Sequence, residues 1–360
     1  MRAVRETEEL SSIVLDQADR LFAGVVTAER LAEADRGEWP RAIWEAVEQA
    51  GLPLALVPEP QGGVGLAQTD GLALIRLAGY HALPVPLPET MMAAALWARA
   101  SGAAVDGALS LAPTAADDDI RIERSAGGYT LRGRARRVPW GARAEHTLLH
   151  ARDRAGAGYL ALLPQAAGKL EPHRNLAYEP RDTLELDGVI LPASAVQAAA
   201  QDFTEGLLAF GALIRVQQMV GAMERALDYA VRYATERKQF GRPIGKFQAV
   251  QMMLAEAAGQ YAAATAAADL AVEAYGRADF DFGVAVAKAR VGEAAGKVAE
   301  VGHQVHGAMG FTQEHPLHFF TRRLWSWRDE FGHEPFWQER IGRLVCSRGG
   351  EALWPMLTDE

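Results

Sequence analysis

"ERKQFGRPIGKFQAVQ", Glu236–Gln251, is the stretch on which the reading of this chain turns. A helical pattern runs into Arg237, Lys238 and Gln239. It breaks at Phe240-Gly241, turns through Pro243 and Gly245, and resumes before Phe247. Cationic and amide donors at such a junction can hold a pyrophosphate, and an aromatic such as Phe240 can lie on a flat ring. The same residues suit a solvated helix end, because basic side chains complement a helix C-terminus. Both readings stay open until the rest of the chain is considered.

On either side of this stretch the apolar spacing is helical. Leu213, Val216, Val220, Met223, Leu227 and Ala230 step by three and four. Phe247, Val250, Leu254, Ala257 and Tyr261 do the same, as do Val284, Ala287, Val291, Ala294, Val298, Val301 and Val305. Three stripes on long segments with short connections predict an antiparallel helix bundle over 201–360. Its many alanines allow close helix approach and a further face against another subunit.

Upstream, 107–200 changes texture. "DIRIERSAGGYTLRGRARRV" reads as two alternating runs around an Ala-Gly-Gly turn. "EHTLLHA", "GYLALLP" and "TLELDGVILP" are further short apolar runs bounded by turn residues. A small, mostly antiparallel β domain is expected there. Residues 1–106 are helical again. "EWPRAIWEAVEQAGL" puts Ile43, Trp44, Val47 and Ala50 on one stripe that stops at Gly51. The predicted fold is an α+β multidomain chain: an N-terminal helical domain, a central β-barrel-like domain and a C-terminal four-helix bundle.

At 360 residues the chain can bury a large core in two or three domains. A formal net charge of −9 argues weakly against nucleic acid as the main partner. The single cysteine, Cys346, excludes a disulfide within the chain and fits a reducing compartment. "MRAVRETEELSS" lacks the apolar run of a signal peptide. "TMMAAALWARASG" is too short, and too polar at its ends, to span a bilayer. A cytoplasmic protein with no membrane segment is expected.

Four segments in order resemble the acyl-CoA dehydrogenase family: "WEAVEQAGLPLALVPEPQGGVGL", "EPRDTLELDGVILP", the opening stretch, and "VGHQVHGAMGFTQEHPLHFFTRR". The resemblance covers nearly the whole chain and agrees with the α–β–α order. It implies oxidation of an acyl-CoA substrate to the enoyl-CoA. A glutamate would remove the α-proton, and FAD would take the hydride and pass electrons to an electron-transferring flavoprotein. Such chemistry needs a polarised thioester and a desolvated base. Assembly as dimers paired into a tetramer is implied, either a homotetramer or a heterotetramer with a second dehydrogenase-like subunit.

In the family, one subunit grips the distal end of its neighbour's FAD through an "RKxFG" motif and a "Q-x-x-G-G-x-G" motif. The matching residues are Arg237, Gln239, Phe240, Gln304, Gly307 and Gly310, with Ala308 replacing one glycine. The motifs that contact the flavin in cis are replaced. "LAPTAADDD" stands at the first. Arg137, Val138 and Pro139 stand at the second, where proline offers no N–H. Trp140, one residue on, is the remaining aromatic that could stack.

The family's base position falls on Phe331, with Glu330 one residue short and Asp329 two. An alternative base position used by some relatives falls near Gly211. Glu330, and after it Asp329, are the catalytic candidates; the rival reading pairs both with Arg322, Arg323 or Arg328. His303/His306 and His315/His318 lack further ligands for zinc, so no metal is expected. Trp325, Trp327, Phe331, Phe336 and Trp337 suit packing, or the wall of an acyl pocket. Two functions are therefore expected: a self-sufficient FAD-dependent acyl-CoA dehydrogenase using Glu330, or a half-site subunit of a hetero-oligomeric one. A flavin oxidase or monooxygenase on the same fold, without the acidic base, is a third.

Overall fold

The computed structural model describes residues 2–199 and 206–358. Five helices open the chain: α1 (Arg2–Val25), α2 (Ala28–Asp35), α3 (Arg41–Gln49), α4 (Gln68–Tyr80) and α5 (Leu87–Ser101). In α3, Ile43, Trp44 and Val47 are buried, as their spacing requires. Ala50 is instead the exposed C-cap, because Gly51 at φ +70° ends the helix one residue earlier than the stripe suggests. α4 and α5 carry buried residues around most of their circumference, so they form the layer between α1–α3 and the helices that follow.

Eight strands come next: β1 (Leu109–Ala112), β2 (Asp119–Ser125), β3 (Gly128–Pro139), β4 (His146–Arg152), β5 (Gly158–Pro164), β6 (Lys169–Glu171), β7 (Arg181–Leu191) and β8 (Val196–Ala198). They join in the order β6-β7-β3-β2-β4-β5-β8. Pairing is mostly antiparallel, but β1 runs parallel to β4, and β2 meets β4 in parallel at one residue pair. β2 and β3 close their hairpin with Ser125 opposite Gly128, around the Ala-Gly-Gly turn. Ile120, Ile122, Leu131, Leu149, Leu163 and Leu184 alternate inward and form a core separate from that of the helices.

The boundary drawn at 200/201, and Phe203, lie outside the described residues. Beyond them stands α6 (Leu207–Glu236), then a two-strand hairpin of β9 (Lys238–Gln239) and β10 (Arg242–Pro243). α7 (Gln248–Glu273), α8 (Phe280–His306), α9 (Leu317–Asp329), α10 (Glu334–Arg348) and α11 (Leu353–Thr358) complete the chain. α6–α9 pack on one another and α10 lies on α8. Every residue of the Val284–Val305 stripe is buried. α7 differs: of its stripe only Ala257 is fully buried, and its outer face exposes Met252 and Leu270 among alanines. No helix among the described residues is long and apolar enough to cross a membrane.

Candidate functional site

One end of the bundle presents the first group of expected residues. Arg237 caps α6, and β9–β10 then fold back with Gln239 opposite Arg242. Phe240 sits at the tip at φ +52° and is 92% exposed, an unusual cost for a large apolar ring. It meets Phe247 edge-on at 6.1 Å between centroids, and the Arg242 guanidinium lies 4.2 Å over Phe247. Gln304 is exposed on the last turn of α8, and Gly307 follows at φ +58°. α6 and α8 end side by side, with the Tyr233 and His306 rings 4.6 Å apart. Arg237, Gln239, Phe240, Gln304 and Gly307 therefore share one end of the bundle, all facing outward.

The carboxylates are in a different setting. Asp329 is exposed on the last turn of α9. Glu330, the C-cap, is 6% exposed and held from two sides. Arg181 Nε donates to its Oε1 at 2.7 Å, Arg215 Nε to its Oε2 at 2.6 Å, and Asn175 Nδ2 adds a third bond at 3.0 Å. Burial pushes this carboxyl up, but Arg181 and then Arg215 outweigh it and hold the pKa at about 2. A general base needs a pKa nearer neutrality, which is the opposite of this environment.

None of the expected partners Arg322, Arg323 and Arg328 pairs with Glu330. They pair instead with Asp35, Glu179 and Glu334. Arg215 reaches on to Glu89 at 2.7 Å, and Arg181 to Glu179 at 2.7 Å. Three buried arginines and three buried glutamates thus join α5, α6, α9 and the strand β7. Sequence reading missed this network, although Arg215 was visible as a charge inside the apolar run "ALIRVQQMV". Nearby, the buried Lys288 Nζ donates to the carbonyls of Arg328 and Gly332 at 2.6 and 2.7 Å, fixing the turn after α9; burial lowers its pKa to about 7.

The two positions to which the resemblance assigns a base meet in space, and neither residue is acidic. Phe331, buried at φ +53°, lays its ring on Gly211 of α6. A Cβ on Gly211 would stand 2.1 Å from the Phe331 ring. Gly211→Ala is therefore expected to cost roughly 1–3 kcal/mol by overpacking, and Phe331→Leu in the same chain should recover most of it. Denaturant unfolding of the two single variants and the double variant checks this; additive effects would contradict the contact.

The cis edge is tied to itself. Ser110 Oγ donates to the carbonyl of Pro139, and Thr114 Oγ1 to that of Arg136 at 2.6 Å. Arg136 pairs with Asp117 and Asp118. Leu111 is fully buried, and Arg137 is exposed at φ +58°. Trp140, also at φ +58°, is buried and lies edge-on to Trp39 at 6.2 Å.

The histidines are engaged in packing. His303 Nε2 bonds Thr321 Oγ1 at 2.8 Å, and its ring stacks between Phe311 and Trp325. His306 Nδ1 bonds the Gly302 carbonyl at 2.7 Å. His315 Nδ1 accepts the Leu317 N–H, and His318 Nδ1 lies 3.2 Å from Arg322. Trp327 donates to Glu179 at 2.9 Å, tying α9 to the segment before β7, and Trp337 donates to the Phe331 carbonyl at 3.0 Å, fixing the α9–α10 turn.

Residues 202–328 match the family model for the acyl-CoA dehydrogenase C-terminal domain. The chain is 27% identical over 354 residues to acyl-CoA dehydrogenase FadE27 of Mycobacterium tuberculosis, covering 91% of this chain and 95% of that one. It is 26% identical over 302 residues to acyl-CoA dehydrogenase IpdE2 of the same organism, covering 84% and 85%. Among solved structures it is similar to the ChsE4-ChsE5 complex from M. tuberculosis. That match has a TM-score of 0.86 and 25% identity, over 93% of this chain and 97% of the matched one.

Proposed function

We propose, because this chain belongs to the acyl-CoA dehydrogenase family, that it serves as one half of a shared flavin site in a hetero-oligomeric acyl-CoA dehydrogenase. The observation that carries this is the Phe331 ring on Gly211, where both expected base positions coincide, while the trans residues stand exposed at the end of the bundle.

The trans residues fit FAD. Arg237 would donate to pyrophosphate oxygens, Gln239 and Gln304 would offer amide hydrogen bonds, and Phe240 would cover a ring. The cis residues do not fit it. The hydroxyls of Ser110 and Thr114 are spent on backbone carbonyls, and Pro139 has no N–H. Bound flavin supplies hydride acceptance. In this reading the base, and the groups that polarise the thioester of the acyl-CoA substrate, come from the second dehydrogenase-like subunit. An electron-transferring flavoprotein then takes the electrons. Glu330 holds the domains together by its two arginines instead of moving a proton. The exposed alanine-rich face of α7 supports assembly, since apolar burial is its main drive.

The test is to purify the chain alone and titrate FAD. Far less than one flavin per chain, with no bleaching by acyl-CoA, is expected; co-expression with a second dehydrogenase-like chain should restore both. Saturation at one flavin per chain, with acyl-CoA-dependent bleaching, would overturn the reading in favour of a self-sufficient dehydrogenase.

A further inference from the structure

Between the α2–α3 connection, the turn after β3 and the loop before β7 lies a cleft of about 590 Å³, a size typical of small-molecule sites. Trp39, Trp140 and Tyr178 wall it. Trp140 and Tyr178 both stand at positive φ, +58° and +62°. That left-handed conformation is strained for bulky side chains, and strain of this kind gathers at ligand clamps.

The charges around the cleft are unequally committed. Its acids all have internal partners. Glu179 is held by Arg181 and Arg323, and Asp182 accepts the Ala142 N–H at 2.7 Å. Asp35 pairs with Arg322, and Glu38 with Arg36 at 3.1 Å. Arg143 and Arg174, both exposed, meet no carboxylate among the described residues. Arg143 donates to the Gly37 carbonyl at 3.3 Å and Arg174 to the Asp35 carbonyl at 3.1 Å, which leaves most of their N–H groups free. Arg143 also lies over the Trp39 ring, 5.9 Å from its centroid. Gly37 makes room for Arg174: at φ +96°, a Cβ there would stand 2.0 Å from the guanidinium.

We propose that this cleft binds a ring-bearing anion. Its flat apolar body would lie against Trp39, Trp140 and Tyr178, and its carboxylate or phosphate between Arg143 and Arg174. None of Leu111, Arg137, Pro139 and Arg237 lines the cleft. Trp140, the aromatic left to stack on a flavin in cis, is one of the walls, so the cleft shares that one residue with the flavin half-site, while Trp39, Tyr178, Arg143 and Arg174 lie outside it.

The test is calorimetric titration of the full chain with naphthoate, a fused-ring carboxylate, and with adenosine monophosphate, a nucleotide phosphate. Naphthylmethanol supplies the ring without the charge, and inorganic phosphate the charge without the ring. At least one of the two ring anions should bind saturably and ten-fold or more tighter than both controls. The tighter one identifies the anion as carboxylate or phosphate. Arg143→Gln and Arg174→Gln should each weaken that binding about ten-fold, the size of one charge-assisted contact, without lowering Tm. Trp39→Ala should weaken it without changing the preference for an anion. Binding of both ring anions no tighter than the controls, or arginine variants that bind like the parent, would overturn the proposal.

Discussion

Replacing Glu330 with leucine is expected to lower the unfolding free energy by about 3–5 kcal/mol, the range found when one partner of a buried ion pair is removed. Arg181 is 3% exposed and Arg215 fully buried, so neither guanidinium gains water when the carboxylate goes. Each keeps one glutamate, Glu179 or Glu89, but two glutamates then face three arginines. The pH dependence supplies an independent check. The folded pKa of about 2 lies below the ordinary value of 4.5, so the stabilisation is full above pH 4.5 and is lost as pH falls towards 2. That interval corresponds to roughly 3 kcal/mol, at about 1.4 kcal/mol per pH unit. In urea unfolding, the gap between parent and Glu330→Leu should be widest at neutral pH and should shrink by more than half near pH 3. A gap under about 1 kcal/mol, or one that acid leaves unchanged, would mean that Glu330 is not the keystone of this network and would reopen its role as a base.

The fold was legible because its signals are local and repeated. The seven-residue stripe from Val284 to Val305 fits only a helix buried on that side, and Ser-Ala-Gly-Gly between alternating runs fits only a hairpin. The centre of the site was not legible, because its interactions are long-range. Glu330 follows Arg322 and Arg323 by eight and seven residues, two helical turns, or about 10–12 Å along the axis. Those arginines cannot fold back to it. Its actual partners, Arg215 and Arg181, lie 115 and 149 residues away. A charge inside an apolar stripe was the available sign: Arg215 in α6 and Lys288 in α8 both interrupt such runs, and both are fully buried. The family resemblance, counted along the chain, did point to Phe331 and Gly211 as the positions to inspect. That the two residues touch follows from the approach of α9 to α6, which no periodicity encodes.

In the assembled complex, Arg237→Ala is expected to weaken FAD binding about 10–100-fold, since a charge-assisted hydrogen bond is worth about 1.5–3 kcal/mol. Stability should hardly change. The side chain is exposed, and the backbone N–H that ties this residue to Tyr233 survives the substitution. The split between the two readouts is the informative part. A residue that merely solvates the end of α6 would move neither of them. A residue whose side chain shaped the β9–β10 hairpin would move both; the bond from the Ile244 N–H to the Arg237 carbonyl, at 2.8 Å, is backbone and survives the substitution. Arg237→Lys should fall between parent and alanine, keeping the charge but losing the fork that engages two oxygens at once. Flavin occupancy and melting temperature of the co-purified complex decide it. Unchanged occupancy in Arg237→Ala would leave the opening stretch as a solvated helix end, and the half-site would lose its grip on the cofactor.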